Sequence, residues 1–269
     1  GNGRRALQIV VEHPDAMAWP DLLVSALLNA AMLPSPLTHE LTPLNVVTWS
    51  LQLELLINAV WATLLVRMSR RTLLALWVAL AAMLVAMVVA RGSSAGGAEW
   101  KDLHMGAVRG FFGFVTGMVL AGSLVPRMPR ESGLAPLAVI LLIGLLVVDV
   151  APDHRPVHDL LSIFVCFPFL MVLALSFDPP RRLRGVARFL GDISFPVYTL
   201  HFGVLYGFLY LARKLGFDAG AGAGSGWIPA FIAVVVGLSI VLARTCDLAA
   251  RGCLRRWMVE RRARLAPTT

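Results

Sequence analysis

Two ionisable side chains lie inside long apolar runs of this sequence. Glu54 follows Val47-Thr48-Trp49-Ser50-Leu51-Gln52-Leu53 and lies about 12 Å along a helix that begins near Val46, at about 1.5 Å per residue. His201 lies near the middle of a later run. Ionisable groups at such depth usually face protein or water and mark functional sites, and a histidine can act as a general base. The alternative for both residues is structural, with a polar side chain joining two helices.

Other catalytic patterns are missing from the sequence. No Gly-x-Ser-x-Gly turn presents a serine nucleophile, and no paired carboxylates indicate glycoside chemistry. Cys166, Cys246 and Cys253 lack metal-ligand spacing and have no neighbouring His or Lys that would activate a thiolate. We therefore expect no metal site, no disulfide and no bound cofactor.

The composition predicts an integral membrane protein. Hydrophobic residues make up 58% of the 269 residues, against about 45–50% in soluble domains, and the mean hydropathy is +0.74. The net charge of +8 lies mostly in short loops between apolar runs, where it indicates topology. No nucleic-acid-binding pattern accompanies it, so we expect membrane lipids and not nucleic acid as partners.

The apolar runs predict an all-α membrane helix bundle that forms a single domain over residues 1–269. Residues 1–45 are interpreted as a polar segment, a helix and an outer loop, and residues 249–269 as a basic cytoplasmic tail. The helix at 20–33 is short, and its polar residues Asp21, Ser25 and Asn29 share one face, which favours an interfacial helix over a span. Seven spans are predicted, at 46–66, 73–90, 104–122, 134–150, 159–177, 191–212 and 227–244.

The distribution of arginine predicts the topology. Arginines concentrate in alternate loops and in the C-terminal tail, and such segments stay in the cytoplasm. The C-terminus is therefore predicted to be cytoplasmic, and the Trp49 end of its helix faces outward. The predicted outward loops are 34–45, 91–103, 151–158 and 213–226.

Two motifs resemble those of the membrane acyltransferase 3 family. Trp49-Ser50-Leu51 followed by Glu54 is similar to its W-S-L-x-x-E signature. The segment from Gly191 to His201, with Ser194 and Tyr198, resembles its G-x-x-S-Y-x-x-Y-x-x-H helix, with Phe195 in place of the first Tyr. Residues 108–117 resemble a further family helix, and the likeness covers roughly residues 20–260.

The resemblance implies transfer of an acyl group, often acetyl, from acyl-CoA to a hydroxyl of an exported glycan, lipid or related metabolite at the bacterial cytoplasmic membrane. Glu54 and His201 are the implied catalytic residues, and Glu54 would orient and stabilise a histidine base. The implied substrate-binding residues are Trp49, Ser50, Arg109, Ser194 and Tyr198.

The resemblance also places the expected base, a His preceded by an Arg, on a first helix that is not found here. We therefore expect an N-terminally incomplete chain that is inactive alone. Glu54 and Arg109 are expected at similar depth in the outer half of the membrane, where they would form an ion pair.

Two other functions fit the same pattern of helices. A transporter or channel would also carry intramembrane charges and glycines, although the sequence shows no inverted repeat. A structural membrane subunit without catalytic activity is the third possibility.

Overall fold

The computed structural model describes residues 18–123, 135–175, 180–214, 227–247 and Arg256. Within these ranges the chain is helical, and its one β-type contact is an isolated bridge between Glu40 and Glu99. The α-helices are α1 (Trp19–Ala30), α2 (Thr48–Thr63), α3 (Arg70–Arg91), α4 (Leu103–Ser123), α5 (Ala135–Val147), α6 (Arg155–Leu161), α7 (Phe167–Leu175), α8 (Arg184–Lys214) and α9 (Ile228–Leu242).

Short 3₁₀ and π segments extend several of these helices. The 3₁₀ turn Leu65–Arg67 follows α2, the turn Trp100–Asp102 leads into α4, and the turn Pro152–His154 precedes α6. A π-helical segment, Ser162–Cys166, joins α6 to α7, so that these pieces form one long helical segment.

Six helical segments of the described chain are long and apolar enough to cross a membrane. They are Thr48–Arg67, Arg70–Arg91, Trp100–Gly122, Pro152–Ala174, Arg184–Ala212 and Ile228–Thr245. They coincide with six of the seven predicted spans and confirm a polytopic helical membrane protein. The remaining predicted span, 134–150, contains α5. Its 13 residues cover about 20 Å, against about 30 Å of hydrocarbon, so a crossing there stays a prediction.

Helix α1 is the short N-terminal helix that the sequence predicts. Its 12 residues reach only about 18 Å. On its polar face Ser25 is fully buried and its Oγ lies 2.9 Å from Ser35 Oγ, whereas Asp21 is exposed. The apolar residues Trp19, Leu23 and Leu27 are exposed. This arrangement suits a helix that turns its apolar side toward lipid and its polar side toward its own loop.

The chain divides into two compact units. The first, Pro20–Arg184, has its core between α2, α3, α4 and the α6–α7 segment. Leu84, Val88 and Val115 are completely buried there, and the ring of Phe112 stacks on Trp77 and lies 4.8 Å, centroid to centroid, from that of Phe164.

A hydrogen bond joins two of these helices. Trp77 Nε1 donates to Thr116 Oγ1 at 2.8 Å, a type of contact that holds membrane helices together where lipid removes the hydrophobic driving force. Helix α3 ends at Gly92, whose φ of +76° gives the left-handed C-cap that glycine favours.

The second unit contains α8 and α9. Helix α8 is 31 residues long and includes Pro196, which removes one backbone hydrogen bond from the helix. Near the end of α8, Phe208 lies 6.4 Å from Trp227 and 6.2 Å from Phe231, measured between ring centroids. These aromatic contacts connect α8 to α9.

Candidate functional site

Glu54 lies on an exposed face of a membrane-spanning helix. Its neighbours Leu53 and Ile57 are buried against Gly110 of α4, where an added Cβ would lie 3.0 Å from each side chain. Glu54 and Asn58, one turn apart, are both exposed, and Asn58 Nδ2 donates to the backbone oxygen of Glu54 at 2.9 Å. Within the described chain the Glu54 carboxylate has no hydrogen bond or ion pair. Helix α2 therefore packs on α4 with one face and presents a carboxylate and an amide on an adjacent face.

Trp49, in the first turn of α2, fills a slot between two glycines. An added Cβ would lie 2.6 Å from Trp49 Cζ3 at Gly97 and 2.5 Å from it at Gly106, both too close for any side chain. Gly97 also has a φ of +119°, a backbone conformation that L-residues rarely adopt. The indole thus ties α2 to the start of α4 and to the loop between α3 and α4.

Arg109 binds the same loop. Its Nη1 donates to the carbonyl oxygen of Ser94, and its Nη2 donates to that of Gly96 at 3.0 Å. The guanidinium carbon lies 6.0 Å from the centroid of the Trp49 ring, within the range of a cation–π interaction. The structure therefore brings together Trp49 and Arg109, two of the predicted substrate-binding residues.

Two buried carboxylates complete this loop site. Asp102 Oδ1 accepts from Gly97 N at 2.9 Å and from Glu99 N at 3.1 Å. Asp159 Oδ2, on α6, accepts from Ser94 N at 2.7 Å. Backbone amides satisfy both carboxylates, which is how buried charges are normally tolerated.

Basic side chains flank the same two carboxylates. Arg155 Nε lies 3.2 Å from Asp159 Oδ1, His158 Nδ1 lies 3.6 Å from the same oxygen, and Arg91 Nη2 lies 4.0 Å from Asp102 Oδ2. The loop between α3 and α4 is therefore anchored by α2, α4 and α6, and we call Trp49, Arg109, Asp102 and Asp159 with this loop the anchored-loop cluster.

The predicted ion pair between Glu54 and Arg109 is wrong. Both residues are described, and no salt bridge joins them. The physical reason is that the loop carbonyls of Ser94 and Gly96 point at Arg109, and a guanidinium with several donors is satisfied by them without a carboxylate.

In the second unit, three predicted residues share one face of α8, at positions 194, 198 and 201. Ser194 Oγ donates to Gly191 O at 2.8 Å, and the rings of Tyr198 and His201 lie 5.9 Å apart, centroid to centroid. His201 Nδ1 lies 3.1 Å from Val197 O. Because a carbonyl only accepts, Nδ1 carries the proton, and in neutral His201 Nε2 is left as a proton acceptor. The remaining predicted residue, Ser50, donates from Oγ to Val47 O at 3.1 Å.

A family comparison covers most of the chain. Residues 7–244 match the model of the acyltransferase 3 family, which is described as an acyltransferase domain. The chain belongs to this family. The prediction from the two motifs is confirmed, and the protein is a membrane acyltransferase. No curated protein and no solved structure gives a significant match.

Both motifs of this acyltransferase lie inside the matched residues. Trp49 and Glu54 are separated by more than one helical turn, so the first serves the anchored-loop cluster while the second lies on the exposed face of α2. In the W-S-L-x-x-E motif, Trp49 therefore packs within the fold, and Glu54 presents a carboxylate without a partner in the described chain.

Sequence reasoning missed the carboxylates of the anchored-loop cluster. Signals for both were present: Asp102 follows Glu99 by three residues and forms a capping box with it, and Asp159 follows Arg155 by four, the spacing of a helical ion pair. The slot glycines, Gly97 and Gly106, left no comparable signal, because only the fold brings both to Trp49.

The loops of the first unit agree with part of the predicted topology. Leu41 N donates to Ala98 O at 2.9 Å and Trp100 N to His39 O at 3.1 Å, which joins the segments 34–45 and 91–103. Asp159, directly after segment 151–158, holds Ser94. These three predicted outward loops therefore lie at the same end of the unit, and the outward direction itself stays a prediction.

Proposed function

We propose that this acyltransferase moves an acyl group, acetyl being the expected one, from cytoplasmic acyl-CoA to a hydroxyl of an exported glycan, lipid or related metabolite. It would act in a bacterial cytoplasmic membrane, with its C-terminus in the cytoplasm. The observation that carries the proposal is the Glu54 carboxylate, which lies exposed on a membrane-spanning helix and has no partner in the described chain.

A carboxylate in this position is costly unless it faces water, substrate or another polar group. An acidic residue at the centre of a membrane helix costs about 2.5–3.5 kcal/mol on insertion scales. The two carboxylates of the anchored-loop cluster avoid such a cost by accepting backbone hydrogen bonds. Glu54 has no such bond within the described residues, which favours a role toward a reacting group over a role in packing.

The proposed reaction needs a base and a stabilised oxyanion. A histidine takes the proton from the acceptor hydroxyl, the oxygen attacks the thioester carbonyl carbon, the C–S bond breaks, and the CoA thiolate recovers the proton. Glu54 would hold and stabilise the charged histidine, as the carboxylate of a hydrolase triad does. His201 is a second proposed catalytic residue, on α8, with its Nδ1 held by Val197 O and Nε2 as the remaining acceptor.

The other predicted residues would act around this step. Trp49 and Ser50, at the start of α2, would line the acceptor entrance, and Arg109 would position Trp49 through the contact at 6.0 Å. Ser194 and Tyr198 share the face of α8 with His201 and would contact substrate there.

Release of free CoA thiol tests the proposal. The full-length protein in proteoliposomes, supplied with acetyl-CoA and a glycan or lipid acceptor, should release thiol and acylate the acceptor. Glu54→Gln should lower the rate about 10²–10⁴-fold, the usual contribution of general-base catalysis, and His201→Gln should lower it comparably. Thr63→Val, which removes an exposed hydroxyl of the same helix that donates to Ala59 O, is the matched control and should keep the rate.

Two results would contradict the proposal. One is a wild-type rate for Glu54→Gln, which would limit that residue to packing. The other is substrate counterflow without thiol release, which would indicate a transporter.

A further inference from the structure

A groove in the second unit is lined by charges from two helices. Its volume is about 260 Å³. Arg188, Phe189 and Asp192 come from α8, and Arg244 comes from the π-helical turn Ala243–Asp247 that follows α9. The floor is apolar and consists of Gly185, Ile193, Ile240 and Ala243.

The two arginines line this groove, and neither has a partner among the described residues. Arg188 and Arg244 are exposed, and within the described residues neither forms a hydrogen bond or ion pair, either with Asp192 or with any other group. Two guanidiniums and one carboxylate leave the lining with a net positive charge. Arginines that serve only as topology signals would spread around the helix ends, whereas these two meet from separate helices above an apolar floor.

We propose that this groove binds the phosphate-bearing part of the acyl-CoA donor, an inference that rests on the proposed function. Arginine pairs with phosphate oxygens through two parallel hydrogen bonds, and CoA carries a diphosphate and a ribose phosphate. Phe189, 41% exposed, provides an aromatic face on which the adenine stacks. Asp192 accepts hydrogen bonds from the ribose, as acidic residues do in dinucleotide sites.

The size and place of the groove fit one end of CoA. Drug-sized ligands occupy pockets of about 300–1,000 Å³, so about 260 Å³ accommodates part of CoA and leaves the acyl arm outside. Arg188 lies one turn into α8, and Arg244 lies at the end of the segment Ile228–Thr245. Both belong to the arginine-rich ends that the predicted topology places in the cytoplasm, where acyl-CoA is found.

Binding of CoA to the full-length protein in phosphatidylcholine nanodiscs tests the site. Arg188→Gln and Arg244→Gln should each weaken CoA binding roughly 10–100-fold, as expected for lost hydrogen bonds to a charged group. Arg71→Gln, at the start of α3 and on the same predicted side, is the matched control and should bind CoA as the wild type does. Phe189→Leu should weaken binding of CoA but not of inorganic pyrophosphate.

The possible results separate this inference from the proposed function. Unchanged CoA affinity in both arginine variants overturns the site, even where thiol release from acetyl-CoA persists. Arginine-dependent CoA binding without any thiol release supports the site and overturns the proposed transfer.

A lipid headgroup is the other source of the same phosphate chemistry. In that case, phosphatidylglycerol nanodiscs would stabilise the wild type but not the arginine variants, and CoA affinity would be the same in all of them. That result overturns the proposal.

Discussion

The Trp49 ring occupies space that a side chain at position 106 would need. Replacing Gly106 should therefore displace the Trp49 ring. In Gly106→Ala the new Cβ would lie 2.5 Å from Trp49 Cζ3, 3.0 Å from Trp49 Cη2 and 2.9 Å from the Cα atom of Gly97. The first and third contacts are shorter than real Cβ contacts. Because the third contact is with backbone, a rotation of the indole alone cannot relieve the clash.

The size of the effect follows from this geometry. Overpacking of a tight site typically costs about 1–3 kcal/mol, and displacement of Trp49 also removes the ring under Arg109. For a chain of this length, about 1 kcal/mol shifts the melting temperature by about 2–4 °C. We therefore expect Gly106→Ala to lower the melting temperature by about 2–12 °C.

Gly113 provides a matched control on the same helix. An added Cβ there would have no atom within 4 Å, so Gly113→Ala should be neutral or should stabilise the helix by up to about 1 kcal/mol. Thermal unfolding in detergent, followed by circular dichroism, measures both variants.

A second-site change tests the cause of the effect. Phenylalanine is shorter than tryptophan, so Trp49→Phe should remove part of the Gly106→Ala penalty, while the contact with Gly97 keeps the rest. The reasoning is refuted if Gly106→Ala and Gly113→Ala melt alike, or if the Gly106→Ala penalty is as large in the Trp49→Phe background as in the wild type.

Three further outcomes are expected. Asp159→Ala should destabilise the protein by about 1–3 kcal/mol, because Ser94 N loses its acceptor, while Asp153→Ala at an exposed position should have little effect; equal melting temperatures would contradict this. Trp77→Phe should cost about 0.5–1.5 kcal/mol through the lost bond to Thr116, and Thr116→Val should add little to it; full additivity in a double-mutant cycle would contradict the pairing. Leu183→Cys, in a background without other cysteines, should react with a membrane-impermeant thiol reagent only after cell lysis, and labelling of intact cells would overturn the predicted topology.

The helices were predictable because hydrophobic length is a property of the sequence alone. Six of the predicted spans appear as continuous helical segments, since every backbone group within lipid must find its partner in its own helix. The run 134–150 shows the limit of this reasoning. Its composition is as apolar as any span, yet α5 ends at Val147, and a hydropathy pattern does not report where a helix ends.

The contacts of Arg109 were not predictable in the same way. Matching charges at similar depth suggested Glu54 as its partner, but the carbonyls of Ser94 and Gly96 take that place. In the same loop, Gly96 and Gly97 adopt φ values of +127° and +119°. A pair of glycines permits such a turn without requiring it. The sequence is therefore compatible with the contact between Arg109 and the loop carbonyls but does not predict it.

Arg109 and Glu54 are charged residues in two different environments. Arg109 is held by two carbonyls and an indole ring, so its loss would release the loop that it anchors. Glu54 is exposed, and its helix is already packed through Leu53 and Ile57 on an adjacent face. Replacing Glu54 with Gln should therefore leave the free energy of unfolding within about 0.5 kcal/mol of the wild type, as for surface substitutions, while acyl transfer falls. A charge whose removal leaves the fold intact and lowers the rate belongs to the reaction, and this separation of stability from activity is the result that the geometry of α2 predicts.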